Sequence, residues 1–259
     1  MTSYQFDADT AVEEIGPHRF AGELHARWTI MGVPNGGYAM ALPLSVCRTL
    51  SSHPDPVTTT AHFLSPTTPG PVEVSADILK AGRTTTTIAS SLIQDGRVKL
   101  HMLTTLGNLD ARQGPSHSYL APPALRGPFE TRRSMLVQEF PTNFDLQIPQ
   151  SVAGGAFGNP SGDPEIGGTI AFADGRPPDL VSLPVMADGF PPVAFNLGHA
   201  SWTPTLELTI HFWNHPVPGP VTVWLHSAVV QQGFHDESAD LWDAAGNLVA
   251  RSRQLALIL

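Results

Sequence analysis

Asp188, Gln254, Thr205 and the pair Gly36-Gly37 are of types that can do chemistry, as a base, an amide, a hydroxyl and backbone donors. Asp188 is the only ionisable side chain of the apolar run 179–188 (DLVSLPVMAD) beyond its first residue. A carboxylate in an apolar setting, near a helix C-terminus where the macrodipole disfavours negative charge, has its pKa raised and becomes a better base. As a bare dipeptide, Asp188-Gly189 reads first as a solvated helix end. Gln254 lies in the run 247–259, where alternation groups it with Leu248, Ala250, Ser252, Ala256 and Ile258 on a helix-facing side. An amide there could donate to a carbonyl oxygen, accept from a water, or bond to backbone. Strict alternation sets Thr205 with Glu207, Thr209 and His211, away from Leu206 and Leu208, so it reads as exposed unless Pro204 or a bulge turns the strand start. Gly36 and Gly37 open an apolar run, and backbone N–H groups at a helix start can polarise a carbonyl or cradle an anion, although Asn-Gly-Gly is also a common turn.

Other combinations carry less. His211 and His215 lie on a strand running into Pro216, so their spacing does not place them on one helical face and predicts no metal site. Cys47 is the single cysteine, which rules out intrachain disulfides and reads as a small core residue. No Gly-x-Ser-x-Gly elbow, P-loop or dinucleotide fingerprint occurs, and no cofactor is expected. The formal charge of −9 sets nucleic acid aside as a partner. The segment 28–47 is interrupted by Gly32, Pro34, Asn35, Gly36, Gly37 and Pro43, so no membrane span is expected there. MTSYQFDADT carries no basic and apolar leader pattern, which makes the cytoplasm the expected location. Charged residues are 14% of the 259, against roughly 25% in an average domain, while hydrophobic residues are 41%. Extensive surface is therefore expected to be buried between halves or subunits, as in a homo-oligomer.

The elements that would position these residues form a repeat. Two runs, 35–50 (NGGYAMALPLSVCRTL) and 179–188, are apolar nearly all round, as helices buried on every side would be. Around them lie alternating stretches rich in Val, Thr and Ile, punctuated by 23 Gly and 25 Pro, which is the strand signature. Leu42-Pro43 corresponds to Leu183-Pro184 at an offset of about 141. His62-Phe63 corresponds to His211-Phe212, and Pro69-Gly70-Pro71-Val72 to Pro218-Gly219-Pro220-Val221, at an offset of about 149. Each half thus reads as a buried helix followed by antiparallel strands. This is a tandem hot-dog of the α+β class, each helix wrapped by a curved sheet. The expected division is an N-terminal hot-dog over 1–110, a linker over 111–134 and a C-terminal hot-dog over 135–259, whose first strand is sought in 135–146.

With Gly36-Gly37, the segment from His62-Phe63-Leu64-Ser65-Pro66 to Gly70, Asp188-Gly189-Phe190-Pro191, 205–212 (TLELTIHF) and Gly246-Asn247-Leu248-Val249-Ala250 to Gln254, the chain resembles the type II acyl-CoA thioesterases. That resemblance implies a double hot-dog and water attack on acyl-CoA, giving free acid and CoA in fatty acid metabolism. It implies that an Asp, a Thr and a Gln of the second half hold the water, here Asp188, Thr205 and Gln254, with Gly36 and Gly37 at the substrate. The run 192–203 (PVAFNLGHASWT) departs from the family, leaving acyl length open. Arg132-Arg133, Arg251 and Arg253 are candidates to meet coenzyme A phosphates. Because Pro177-Pro178 replaces the glycines in the second copy, one composite site per chain is expected. The alternatives are a non-catalytic acyl-CoA-binding hot-dog and a hot-dog enoyl-CoA hydratase, although the latter's expected His is missing from 179–188.

Overall fold

The computed structural model describes residues 4–111, 113–131 and 140–259. The first half holds α1 (Gln5–Asp9), β1 (Glu13–Gly16), β2 (Arg19–Leu24), a short ribbon of β3 (Thr29–Ile30) with β4 (Val33–Pro34), and the long helix α2 (Gly36–Leu50). It continues with β5 (Asp55–Phe63), β6 (Gly70–Ala81), β7 (Thr86–Gln94) and β8 (Arg97–Gly107). The second half holds β9 (Phe129–Thr131), β10 (Phe144–Pro149), α3 (Gln150–Ala153), β11 (Glu165–Phe172), α4 (Leu183–Ala187) and α5 (Val193–Asn196). Then come β12 (Thr205–Phe212), β13 (Val221–His226), β14 (Val230–Gln231), β15 (Phe234–Trp242) and β16 (Leu248–Leu257). No described helix is long and apolar enough to cross a membrane.

Both halves contribute to one antiparallel sheet, ordered β1-β2-β6-β7-β8-β5-β12-β16-β15-β13-β11-β10-β9, with β14 attached to β15. The order β2-β6-β7-β8-β5 of the first half is mirrored by β11-β13-β15-β16-β12 of the second, and β5 joins β12 at the seam. There Thr60 pairs with Thr209, its own counterpart at the offset of 149 found in the sequence, and their hydroxyls are 2.8 Å apart. That contact marks a pseudo-twofold axis between two hot-dog units.

The apolar periodicity explains why α2 is central. Tyr38, Met40, Leu42, Leu44 and Val46 are all fully buried, since β5 to β8 cover one side and α4 crosses the other. Burying each such side chain contributes roughly 1.5–3 kcal/mol. Its start is set by Asn35, whose Oδ1 accepts from the Tyr38 N–H at 2.9 Å as an N-cap. Gly37 lies where the helices cross, and a Cβ there would sit 2.2 Å from the Pro184 carbonyl oxygen. Glycine is the residue this close approach requires. Trp28 completes the joint, stacked on Tyr38 at 5.0 Å and edge-on to Phe144 and Phe172 of the second half.

The second helix is shorter than its apolar run. Only Leu183–Ala187 is helical, because Ser182 and Asp179 bond each other's backbone in a turn that closes the start. Asp188 is the C-cap, outside the helix. In the expected linker, β9 pairs with β10. Of the segment 135–146, residues 135–139 lie outside the described residues, as do Arg132 and Arg133.

Candidate active site

Asp188 leaves the end of α4 pointing at the first turn of α2 in the other half. Its Oδ2 accepts from the Gly37 N–H at 3.0 Å and from Asn35 Nδ2 at 2.8 Å. The same Nδ2 also donates to the Asp188 carbonyl at 2.8 Å, and the Gly36 N–H adds a further bond to the carboxylate. Gly36 is tightly enclosed, since a Cβ on it would lie 3.1 Å from Oδ2 and 3.0 Å from Phe63 Cζ. The electrostatics therefore differ from those the sequence suggests. The five-residue α4 contributes little dipole, whereas the fifteen-residue α2 presents its positive end to the charge. Desolvation still wins over these bonds and pushes the Asp188 carboxyl up to about 6.

The glycine N–H groups thus hold the carboxylate. Of the two partners expected for them, a carbonyl or an anion, the one they bond in this arrangement is the Asp188 carboxylate.

Thr205 reaches the interior by a break in alternation. Thr205 pairs with Ala256 and Glu207 with Leu255, so the register shifts between them and the strand start turns inward. Its hydroxyl donates to Gln254 Oε1 at 2.8 Å. Gln254 and Ser252 face the interior as alternation requires, and with Asp188, Ala187, Leu208, Leu225, Glu237 and Ala239 they line one narrow recess. Arg251 and Arg253 alternate with these residues and face outward, where Arg251 pairs with Asp240.

Two residues that the sequence reading did not single out are Asn35, which holds Asp188, and Glu237, which lines the recess. Asn35 was read only as part of a turn, yet its side chain both caps α2 and ties down Asp188. Glu237 is only 3% exposed, and its two oxygens accept from Gln254 Nε2 and the Val193 N–H, each at 2.6 Å. Burial, reinforced by the charges of Asp188 and Asp236, pushes its carboxyl up to about 7. A signal for it existed, because the offset of 149 sets Glu237 against Ile88 in the first copy, an acid replacing a core residue.

His215 Nε2 lies 3.3 Å from Asp55 Oδ1, and no group of three or more His, Cys, Asp or Glu able to hold a metal occurs among the described residues.

The two-unit fold agrees with comparisons to known proteins. Residues 24–107 match the family profile for the acyl-CoA thioesterase N-terminal domain, and residues 118–258 that for the C-terminal domain. A proposed thioesterase II from Thermobifida fusca YX is 33% identical, with a TM-score of 0.90 over 100% of this chain and 99% of that one. An acyl-CoA thioesterase II from Mycobacterium marinum, 17% identical, shares the fold with a TM-score of 0.76 over 98% of each chain. An uncharacterized protein of Mycobacterium tuberculosis is 27% identical over 92% of this chain and 90% of its own length. With both of its halves matched in order, the chain belongs to the acyl-CoA thioesterase family.

Proposed function

We propose that the protein hydrolyses acyl-CoA to free carboxylic acid and CoA at the recess lined by Asp188 and Gln254, with Thr205 bonded to Gln254 beside it. One observation carries this reading: the Asp188 carboxylate is clamped across the joint of the halves and shares a recess with Gln254, whose Oε1 accepts from Thr205, and burial raises that carboxyl to about 6. A base of that pKa is ionised at neutral pH and still strong enough to take a proton from water.

With Oδ2 held by Asn35 and Gly37, Oδ1 is the oxygen left to receive that proton. The resulting hydroxide adds to the thioester carbonyl carbon, the C–S bond breaks, and CoA leaves as the thiolate, regaining a proton from Asp188 or solvent. Thr205 and Gln254 align the water and the carbonyl oxygen. The recess is narrow, so entry of the reactants displaces lining side chains, and the uncharged contact between Thr205 and Gln254 is the cheapest to rearrange.

A panel of short, medium and long acyl-CoA substrates with free-thiol detection tests the reading. Thiol release above the uncatalysed rate for at least one chain length is expected. Binding without thiol release across the panel would replace the proposal with a binding protein, and hydration of an enoyl-CoA without thiol release with a hydratase.

A further inference from the structure

Glu237 lies beside the Asp–Thr–Gln set, and its hydrogen bonds suggest a role that the set alone does not supply. Thr205, Gln254 and Glu237 form a row across three strands, Thr205 to Gln254 at 2.8 Å and Gln254 to Glu237 at 2.6 Å. A hydroxyl can donate or accept, and an amide has one end of each kind, so neither of the first two members determines the direction of the row. Glu237 does. The Val193 N–H occupies its Oε2, and Oε1, when ionised, can only accept. Gln254 must then turn Nε2 toward Glu237 and Oε1 toward Thr205, which commits the Thr205 proton to Gln254.

We propose that Glu237 is a positioning residue of the hydrolytic site, and that gain of a proton on its Oε1 reverses the row and frees the Thr205 hydroxyl to donate to the thioester carbonyl oxygen. This rests on the reading under Proposed function. The proton comes from solvent and returns there, and no covalent bond changes. A protonated Oε1 becomes a donor, the Gln254 amide turns over to offer Oε1, and Nε2 donates to Thr205 Oγ1. The hydroxyl proton, no longer held by Gln254, then points to an acceptor in the recess, where oxyanion charge develops.

The surroundings of Glu237 favour a proton near neutrality. The ionisable group facing it is Asp188 at the end of α4; Asp236, the preceding residue of its own strand, projects to the other face, and the charges of both raise its affinity for a proton. His235, two residues along, is held toward its neutral form by burial. The remaining lining from β12, β13 and β15 is Leu208, Leu225 and Ala239. Burial raises both carboxyls, and the Asp188 charge itself raises the affinity of Glu237 for a proton, so of the two Glu237 is the one that holds a proton while the base is ionised.

The test is the pH profile of kcat/KM for acyl-CoA hydrolysis by wild type, Glu237→Gln and Glu237→Leu. Wild type should give a bell, rising through about 6 and falling through about 7. Glu237→Gln should keep the rising limb and lose the falling one, since a Gln side chain accepting from Val193 must offer its NH2 to Gln254, as protonated Glu does. Glu237→Leu removes the partner, and its kcat should fall on the order of 10-fold with KM little changed. A falling limb retained in Glu237→Gln, or a wild-type profile with a rising limb alone, would overturn the proposal while leaving the hydrolase reading intact. Absence of thiol release by wild type would instead remove the hydrolase reading. The row can be read without turnover or folded variants, from the 15N-labelled Gln254 side-chain amide of the wild type. Its resonances should shift with a midpoint near neutrality, and invariance across that range would contradict the reversal.

Discussion

The two halves carry the same wall of strands, but at the place matched to Ile88 in the first half the second carries Glu237. Across β15 and β16, Glu237 pairs with Gln254; at the matching place across β7 and β8, Ile88 pairs with Thr104. Thr104 bonds sideways to Thr59 at 2.9 Å, so the first half satisfies its hydroxyls internally. Cys47, at the counterpart of Asp188 in sequence, lies 3.6 Å from Ser90 Oγ and is pushed up to about 11 by burial, which keeps it a neutral thiol. The helix starts differ too. Asn35, Gly36 and Gly37 offer donors to Asp188, whereas the region of Pro177 and Pro178 is occupied by Arg176, paired with Asp7 and Asp179. Duplication of a fold therefore supplies geometry without chemistry. The second half holds Asp188, Thr205 and Gln254 of the proposed site, and the first supplies the helix end that holds the Asp188 carboxylate.

The sharpest way to break this comparison is to separate its terms. Residues 1–111 expressed alone lose α4 from the crossing at Gly37 and expose β5 as a sheet edge. Aggregation, or a soluble product with no cooperative melt, is expected in calorimetry and light scattering. A soluble, cooperatively melting half would show that the halves do not depend on each other.

A second test uses the cost of the acids. Asp188 and Glu237 have folded pKa values of about 6 and about 7, raised above their ordinary range by burial. The folded state therefore binds more protons than the unfolded state as pH passes from roughly 4 to 7, and stability present in acid is lost as pH rises through those values. Between pH 5 and pH 8, the Tm of wild type should fall more than that of the Asp188→Asn, Glu237→Gln double variant, by on the order of 3–8 °C. Parallel pH dependence in the two proteins would contradict the burial account.

The smallest expected effect is no gain at all. Cys47→Asp in an Asp188→Asn background places a carboxyl beside Ser90 and Thr104, without a helix N-terminus to hold it or a Gln and Glu to face. Thiol release should stay at the Asp188→Asn level. Restored turnover would mean the halves are more alike chemically than their residues indicate.

Much of this was legible in the sequence because repetition shows in spacing. The offset of 149, read from His62-Phe63 and Pro69 to Val72, carries over to Thr60 and Thr209, which the structure pairs at the seam, and the wrapped α2 was legible in residues that are apolar all round because it is covered all round. Gln254 was placed by period-two alternation, which survives in β16. Thr205 was not, because a register shift at Glu207 overrides alternation, and a bulge has no fixed composition. The length of the second helix was overread because residues 179–182 are buried in a turn, and an apolar pattern reports burial whatever the backbone does. Asn35 and Glu237 escaped for another reason: their partners lie 153 and 17 residues away, and pairing at that range is set by the fold.

The central claim is that Asp188 activates a water for thioester hydrolysis. It is tested most directly by measuring steady-state thiol release and calorimetric acyl-CoA binding for wild type and Asp188→Asn side by side, with the best substrate of the panel. Asn keeps the shape of Asp and removes the base, so binding should be nearly unchanged while kcat falls roughly 10²- to 10⁴-fold. Hydrolysis by Asp188→Asn at the wild-type rate would contradict the assignment.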